Sequence, residues 1–428
     1  MADASARLQQ RPRCSPAPRS LLGRFLGASR VAVCFFGLSR NLSTTLPSIE
    51  ANLLGPLLDS GADFDIFVHA MLLNSITNKR SHEKALALQP FEFASLNPCR
   101  FTAEDQDTSD EALSPLVAKM EGRAAGFQGT YDHASKWNAV RAYYSLWKVS
   151  RLVLAHERSI FYRTESTTTS THVAYQHQHG AHLYTHVVAA RPDTSFLSPF
   201  DAAELLRDAA LYHSVGPFIR LPSFRQWGGL NDRFAAGEAR AMLHCYMSRY
   251  TEAARNPEHF FRKATNTERL LCLHLARCQI GRGGVSVEPT DVCVKRVRAD
   301  GSVERLDRSQ AGVLGSPKDN YPRCLQEAGA RKNYSALLRF CGSDCKEARA
   351  SFQPPPPIRL TDSRQLPGYP HKCGSSCAPP CKNATANATA TAKAPHLKGG
   401  RSSRPLPART PAAAVKKEGR GIVATMFG

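Results

Sequence analysis

"HLYTHVVAARPDTSF" (His182–Phe196) is the stretch whose reading decides the fold. Val187 to Ala190 is short, wholly apolar and β-branched at its start, which suits a buried strand of an α/β sheet better than a helix. Pro192 has no N–H to give to a ladder, so the strand ends there. Arg191 and Asp193 are then left at its carboxyl end, a cation and an anion spaced by a rigid ring. Open α/β sheets place their ligands just beyond strand carboxyl ends, so both are candidates for chemistry.

Working outward, strands alternate with helices, which implies a largely parallel sheet covered on both faces. "VAVCFFG" (31–37) is a buried strand entering a turn at Gly37, and "DFDIFVHA" (63–70) is a second. Between them Leu46, Ile49, Leu53 and Leu57 recur at helical spacing, with Gly55-Pro56 breaking the regularity. Residues 75–130 are polar and read as a variable loop region. From Ser135 the helical face Trp137, Val140, Tyr144 and Trp147 reads as core. Residues 164–180 read as a low-complexity insertion, and its His172, His177 and His179 lack the partners of a metal site. Ser198-Pro199 reads as a helix start, "RQWGGLNDRFAAG" (225–237) as a loop, and Glu238 to about Thr251 as a helix. Thr265 to Glu268 resembles a capping box, and "VSVEP" and "DVCVKRV" (285–297) are closing strands.

The chain has 428 residues and a net charge of +20. Residues 1–30 and 351–428 hold +15 of that charge, leaving +5 on residues 31–350. That is an ordinary balance for a globular domain handling anionic ligands, and no aromatic-basic motif accompanies it, which argues against nucleic acid. No stretch of about 20 apolar residues is present to span a membrane. The Arg-rich, acid-poor leader has the composition of a transit peptide or of a disordered segment. Seven of the thirteen cysteines stand singly and read as small core residues. The other six, between Cys324 and Cys381, lack zinc-ligand spacing and favour disulfides. Sequons at Asn41, Asn333, Asn383 and Asn387 agree with a secretory compartment, that at Asn41 being discounted because a functional Asn41 would conflict with its glycosylation.

Three loops meet at the carboxyl edge of the expected sheet. Gly37-Leu38-Ser39-Arg40-Asn41 can hold phosphate through backbone amides and Arg40, although it matches neither a P-loop nor a dinucleotide fingerprint. Arg191-Pro192-Asp193 can coordinate a divalent cation through Asp193 and meet phosphate through Arg191, or form a purely structural ion pair. In "GGLNDRFAAG", Asp232 is a general base, an acceptor-positioning carboxylate or a helix cap.

With "VAVCFFGLSRNLSTTLPSIEANLL", "DFDIFVH", "NAVRAYYSLWKV", "ARPDTSF", "NDRFAAGEARAM" and "NTERLLCLHL" in place, residues 31–295 resemble a group of nucleotide-sugar glycosyltransferases from algae, plants and microbes. The resemblance implies a GT-A-like, Rossmann-like α/β fold, a sugar-nucleotide donor, a glycan or glycoconjugate acceptor, a manganese or magnesium ion, and an endomembrane lumen such as the Golgi. It makes Gly37, Arg40, Asn41, His69, Arg191 and Asp193 donor-binding residues, Asp193 also the metal ligand, and Asp232 and Glu268 the catalytic residues. Arg-Pro-Asp stands where such enzymes carry Asp-x-Asp, so a cation replaces the first acid and can neutralise the diphosphate directly. The expected organisation is a basic leader (1–30), the transferase-like domain (31–295), a Cys-containing extension (296–350) and a disordered Pro/Ala/Thr-rich basic tail (351–428). A carbohydrate-binding or scaffold protein and a sulfotransferase are the rival classes.

Overall fold

The apolar run after Arg30 is buried along its whole length because it forms the middle of a sheet with helices on both faces. The computed structural model describes residues 2–15, 29–78, 83–89, 91–121, 133–165, 182–207, 217–222, 229–261, 266–281 and 285–303. In chain order the strands are β1 (Arg30–Gly37), β2 (Asp63–Leu72), β3 (Ser75–Asn78), β4 (Glu83–Ala87), β5 (Arg100–Asp105), β6 (His186–Ala190), β7 (Thr194–Phe196), β8 (Phe218–Pro222), β9 (Phe234–Glu238), β10 (Ser286–Thr290) and β11 (Val294–Arg296). Seven of them form the main sheet in the order β10-β8-β9-β6-β1-β2-β5. Neighbours are parallel except where β9 runs antiparallel between β6 and β8. The mostly parallel α/β architecture expected from the sequence is therefore present.

From β1 the sheet grows one way through β2 and β5, and from β6 it grows the other way. The carboxyl ends of β1 and β6 thus flank a topological switch point, where connections leave in opposite directions and a crevice opens. Side chains alternate across β1: Val31, Val33 and Phe35 pack with Leu42, Ile49, Leu53 and Leu57 on one face. Ala32, Cys34 and Phe36 pack with Val140, Tyr143 and Leu146 of the helix His133–Glu165 on the other. Each fully buried side chain of this size contributes about 1.5–3 kcal/mol, so the two cores fix the register of the strands that carry the site.

The helix after β1 runs from Leu42 to Ile49, widens to a π turn at Glu50–Leu54, and closes with Gly55–Asp59. Pro56 lacks the N–H that would bond Asn52, and that carbonyl instead accepts from the Phe200 N–H at 2.7 Å. Gly55-Pro56 therefore deforms the helix without ending it.

Several expectations change. Residues 75–130, expected as loop, hold the β3–β4 hairpin, the edge strand β5 and a helix at Gln106–Glu121. β5 is exposed along almost all of its length, so it has no apolar run to announce it. "DRFAAGE" contains β9 rather than a loop. Ser198-Pro199 precedes the helix at 202–207, but the cap is Asp201, whose carboxylate accepts from the Glu204 N–H at 2.7 Å. The leader holds a helix at Ala2–Gln10 with Leu8 buried. Past it, Arg11 donates to the Phe64 carbonyl and the Ser15 N–H donates to Asp65 at 2.6 Å. The 295/296 boundary cuts β11, whose Arg296 pairs with Asp193. The insertion at 166–180 and everything after Val303 lie outside the described residues, and no described helix is long and apolar enough to cross a membrane.

Of the singly spaced cysteines, Cys34 is the free core residue expected, whereas the other six are disulfide-bonded. Cys14–Cys99 and Cys245–Cys278 are disulfides, Cys272 and Cys293 are also disulfide-bonded, and Cys34 is the one free thiol among the described residues.

Candidate functional site

The loop after β6 is fastened from two sides. Thr45 Oγ1, in the helix after β1, donates to the Pro192 carbonyl at 2.6 Å, and the Val297 N–H donates to the Asp193 carbonyl at 2.8 Å. Between these anchors Asp193 is completely buried. Arg191 grips it bidentately through Nε (2.8 Å) and Nη2 (2.9 Å), Arg296 adds Nε at 3.2 Å, and Arg40 Nε lies 3.5 Å away. Burial alone would raise the Asp193 carboxyl, but the Arg191 and Arg296 guanidiniums outweigh it and hold it well below the usual carboxylate range. Asp193 is thus the buried hub of an ion network.

Arg40 also pairs with the buried Glu83, whose second oxygen accepts from the Ala299 N–H at 3.0 Å. Burial lowers the Arg40 guanidinium, opposed by Asp193 and Glu83 and assisted by Arg191 and Arg298. Burial also pushes Arg296 down to about 9, against the pull of Asp193 and with the help of Arg191 and Arg40. Three guanidiniums therefore face two carboxylates at the switch point, with Arg298 beside them near Asp300.

Gly37 turns the chain out of β1 at φ +98°, a conformation that L side chains resist. Asn41 caps the following helix: its Oδ1 accepts from the Thr44 N–H at 3.1 Å, and its Nδ2 donates to the Ala299 carbonyl at 3.4 Å. Capping thus accounts for both ends of its amide. His69 is wholly buried beneath the helix His133–Glu165. Its Nδ1 lies 2.8 Å from Ser145 Oγ and its Nε2 3.6 Å from Glu104. Ser145 Oγ also receives the Gly37 N–H at 2.7 Å, so His69 and Ser145 brace the ends of β1 and β2 instead of lining the donor loop.

Asp232 and Glu268 are brought together. Gly229 packs its backbone on Glu268, where a Cβ would stand 2.0 Å from the Glu268 carbonyl carbon, and the Leu230 N–H donates to the Glu268 carbonyl at 2.9 Å. The capping explanations fall to other residues. Asn266 Oδ1 takes the Arg269 N–H at 2.7 Å, and Glu238 takes those of Arg240 and Ala241 at 2.9 and 2.7 Å. Thr265 lies outside the described residues. Burial, and then the nearby charge of Asp232, push Glu268 up to about 7. A carboxyl titrating there exchanges protons at neutral pH, as a general base must.

The carboxyl pair stands beside the arginine cluster. Ala190 is paired with Phe234, so Arg191 leaves the sheet where Asp232 and Arg233 enter it. Tyr246 registers both groups. Burial raises its phenol to about 12, the Arg249 and Arg191 charges lower it, Asp232 raises it, and its hydroxyl donates to the Asp232 carbonyl at 3.3 Å.

Sequence reasoning missed Glu83, Ser145, Arg296 and Arg298. The basic run "KRVR" (295–298) at the end of the last strand was the available signal for the last two. Among the described residues, two groups of three have metal-ligand spacing: Cys14, Cys99 and His156, and Cys245, His274 and Cys278. Both contain a disulfide and neither includes Asp193.

No family model and no curated protein matches the chain. Among solved structures it is similar to the apo form of mouse xyloside xylosyltransferase 1, at a TM-score of 0.28 and 9% identity, over 60% of this chain and 83% of that one. A likeness at that level is too slight to carry an argument.

Proposed function

We propose that this chain is a glycosyltransferase with a GT-A-like domain, moving a sugar from a nucleotide-diphosphate donor to an acceptor hydroxyl. One observation carries the reading: a cluster of arginines at the switch point of a mostly parallel sheet adjoins a carboxyl pair with one member poised near neutral pH. Glu268, supported by Asp232, takes the proton of the acceptor hydroxyl as its oxygen bonds to the anomeric carbon. The bond from that carbon to the phosphate oxygen breaks, and its electron pair leaves on the nucleoside diphosphate. The guanidiniums beside the departing group stabilise that charge where it develops.

The fit of a divalent cation rests on Asp193, and the donor set there does not suit one. Both Asp193 oxygens already accept from guanidiniums, and cations surround them. No step is therefore routed through a metal.

The test is a panel of nucleotide sugars, assayed for nucleoside diphosphate release and for thermal shift. Glu268→Gln should lower turnover by about 10²–10⁴-fold, the usual size of a general-base contribution, and leave donor affinity unchanged. A panel that neither shifts the melting temperature nor is turned over supports a non-catalytic carbohydrate-binding protein and sinks the enzymatic reading.

A further inference from the structure

We propose that the site at the carboxyl ends of β1 and β6 binds the donor diphosphate without a divalent cation, Arg191 and Arg296 meeting the phosphates directly while Asp193 holds those two guanidiniums in place. The inference rests on reading this edge as the donor site.

The oxygens of the two carboxylates among the arginines support it. A hard divalent cation on a diphosphate needs roughly one or two protein carboxylates with lone pairs to spare, phosphate and water oxygens completing its shell. Asp193 Oδ1 accepts from Arg191, and Oδ2 accepts from Arg191 and Arg296 with Arg40 beside it. The Glu83 oxygens are taken by Arg40 and by the Ala299 N–H. The Asp193 carbonyl receives Val297 and the Pro192 carbonyl receives Thr45. Among the described residues, the oxygens of Asp193 and Glu83 and the Pro192 and Asp193 carbonyls are each engaged by a donor.

Charge points the same way. Arg40, Arg191 and Arg296 face Asp193 and Glu83, an excess of one positive charge, while Arg298 beside them interacts with Asp300. A dication added there meets repulsion at close range, whereas an anion is attracted. Depth separates the arginines into roles. The Arg40 side chain is 5% exposed, against 17% for Arg191 and 24% for Arg296, so the last two reach the surface. Both contact Asp193 through Nε, which orients the planar fork, the geometry that recognises phosphate. Asp193 is on this account a positioning residue.

Isothermal titration of the oxidised full-length protein with inorganic pyrophosphate tests the proposal, in EDTA and in manganese, with manganese alone and sulfate as further titrants. Pyrophosphate should bind in EDTA within about threefold of its affinity in manganese, manganese alone should not bind, and sulfate should bind far more weakly. Arg191→Ala should weaken pyrophosphate about tenfold or more, the loss of a charge-assisted contact. Arg296→Lys, which keeps the charge and loses the fork, should weaken it by less, while its melting curve reports whether it is folded. Binding that appears only with manganese, together with binding of manganese alone, overturns the proposal and leaves the donor site standing. Equal binding of sulfate overturns it as unselective attraction. Failure of pyrophosphate and of a panel of nucleoside diphosphates in both buffers overturns the donor-site reading itself.

Discussion

At the scale of single residues, Asp193 and Glu268 are carboxyls displaced in opposite directions, and they make opposite demands on pH. Asp193 is fully buried among arginines, so Asp193→Asn leaves cations unpaired in a dry place. A loss of about 3–5 kcal/mol is expected, the usual cost of breaking a buried pair, read as a lowered midpoint in urea. Its folded carboxyl lies below its unfolded value, so its stabilisation is complete above about pH 4 and disappears on further acidification. Glu268 behaves in reverse. Folded, it holds its proton up to about pH 7, and the unfolded chain releases it near pH 4.3. Between those values the folded state binds more protons, so this group's contribution to stability falls as pH rises. Turnover should climb through the same upper limit as the base is freed. Glu268→Gln should abolish both the slope in stability and the rise in rate, measured by melting and by nucleotide release from pH 5 to 8.

At the scale of elements, one junction governs the site and a second holds the opposite edge of the sheet. Gly229 admits the loop before β9 onto the start of the helix Thr267–Gly281, and Gly229→Ala would press a methyl onto the Glu268 carbonyl carbon. That backbone has to move, at about 1–3 kcal/mol, and turnover should fall more than donor affinity because Glu268 moves with it. The second junction is Cys14–Cys99, which ties the leader to the chain just before β5. Closing a loop of this size is worth about 2–4 kcal/mol, so Cys14→Ser should lower the melting temperature, and deletion of residues 2–15 should lower it further by exposing Asp65. What could be read from the sequence follows the same physics. β1, β2 and β6 are continuous apolar runs because both their faces are covered, and they were legible. β5 and β9 were not, one being an exposed edge and the other short and glycine-bearing behind a polar turn. Arg191, Arg40, Asp232 and Glu268 stand at strand or helix ends, where position alone marks them. Arg296 was hidden because its partner lies 103 residues earlier in the chain, and such a pairing leaves no local pattern. The burial of Asp193 was illegible for the same reason.

At the scale of the whole molecule, six of the seven described cysteines are in disulfides, which suits an oxidising compartment. Material made in a reducing cytosol should be poorly folded, and dithiothreitol should lower the melting temperature of the native protein while the pyrophosphate affinity of the fraction still folded is retained. The mostly parallel sheet adds a second demand, since β1 pairs with β2 early and with β6 only after a detour of about 155 residues, the separation of Arg30 and Thr185. The hub at Asp193 completes later still, when Arg296 arrives. A ribosome adding about 5–20 residues per second needs roughly 5–20 s to cover those 103 residues. For much of that interval β8, β9 and β10 are also still to be made, and Asp193 stands beyond an edge strand, held by Arg191 and Arg40 without Arg296. A chaperone that shields the strand ends during this pause would act on the last part of the molecule to become functional, and a product ending between residues 291 and 295 would have the seven strands of the main sheet and lack the Arg296 half of its anion clamp.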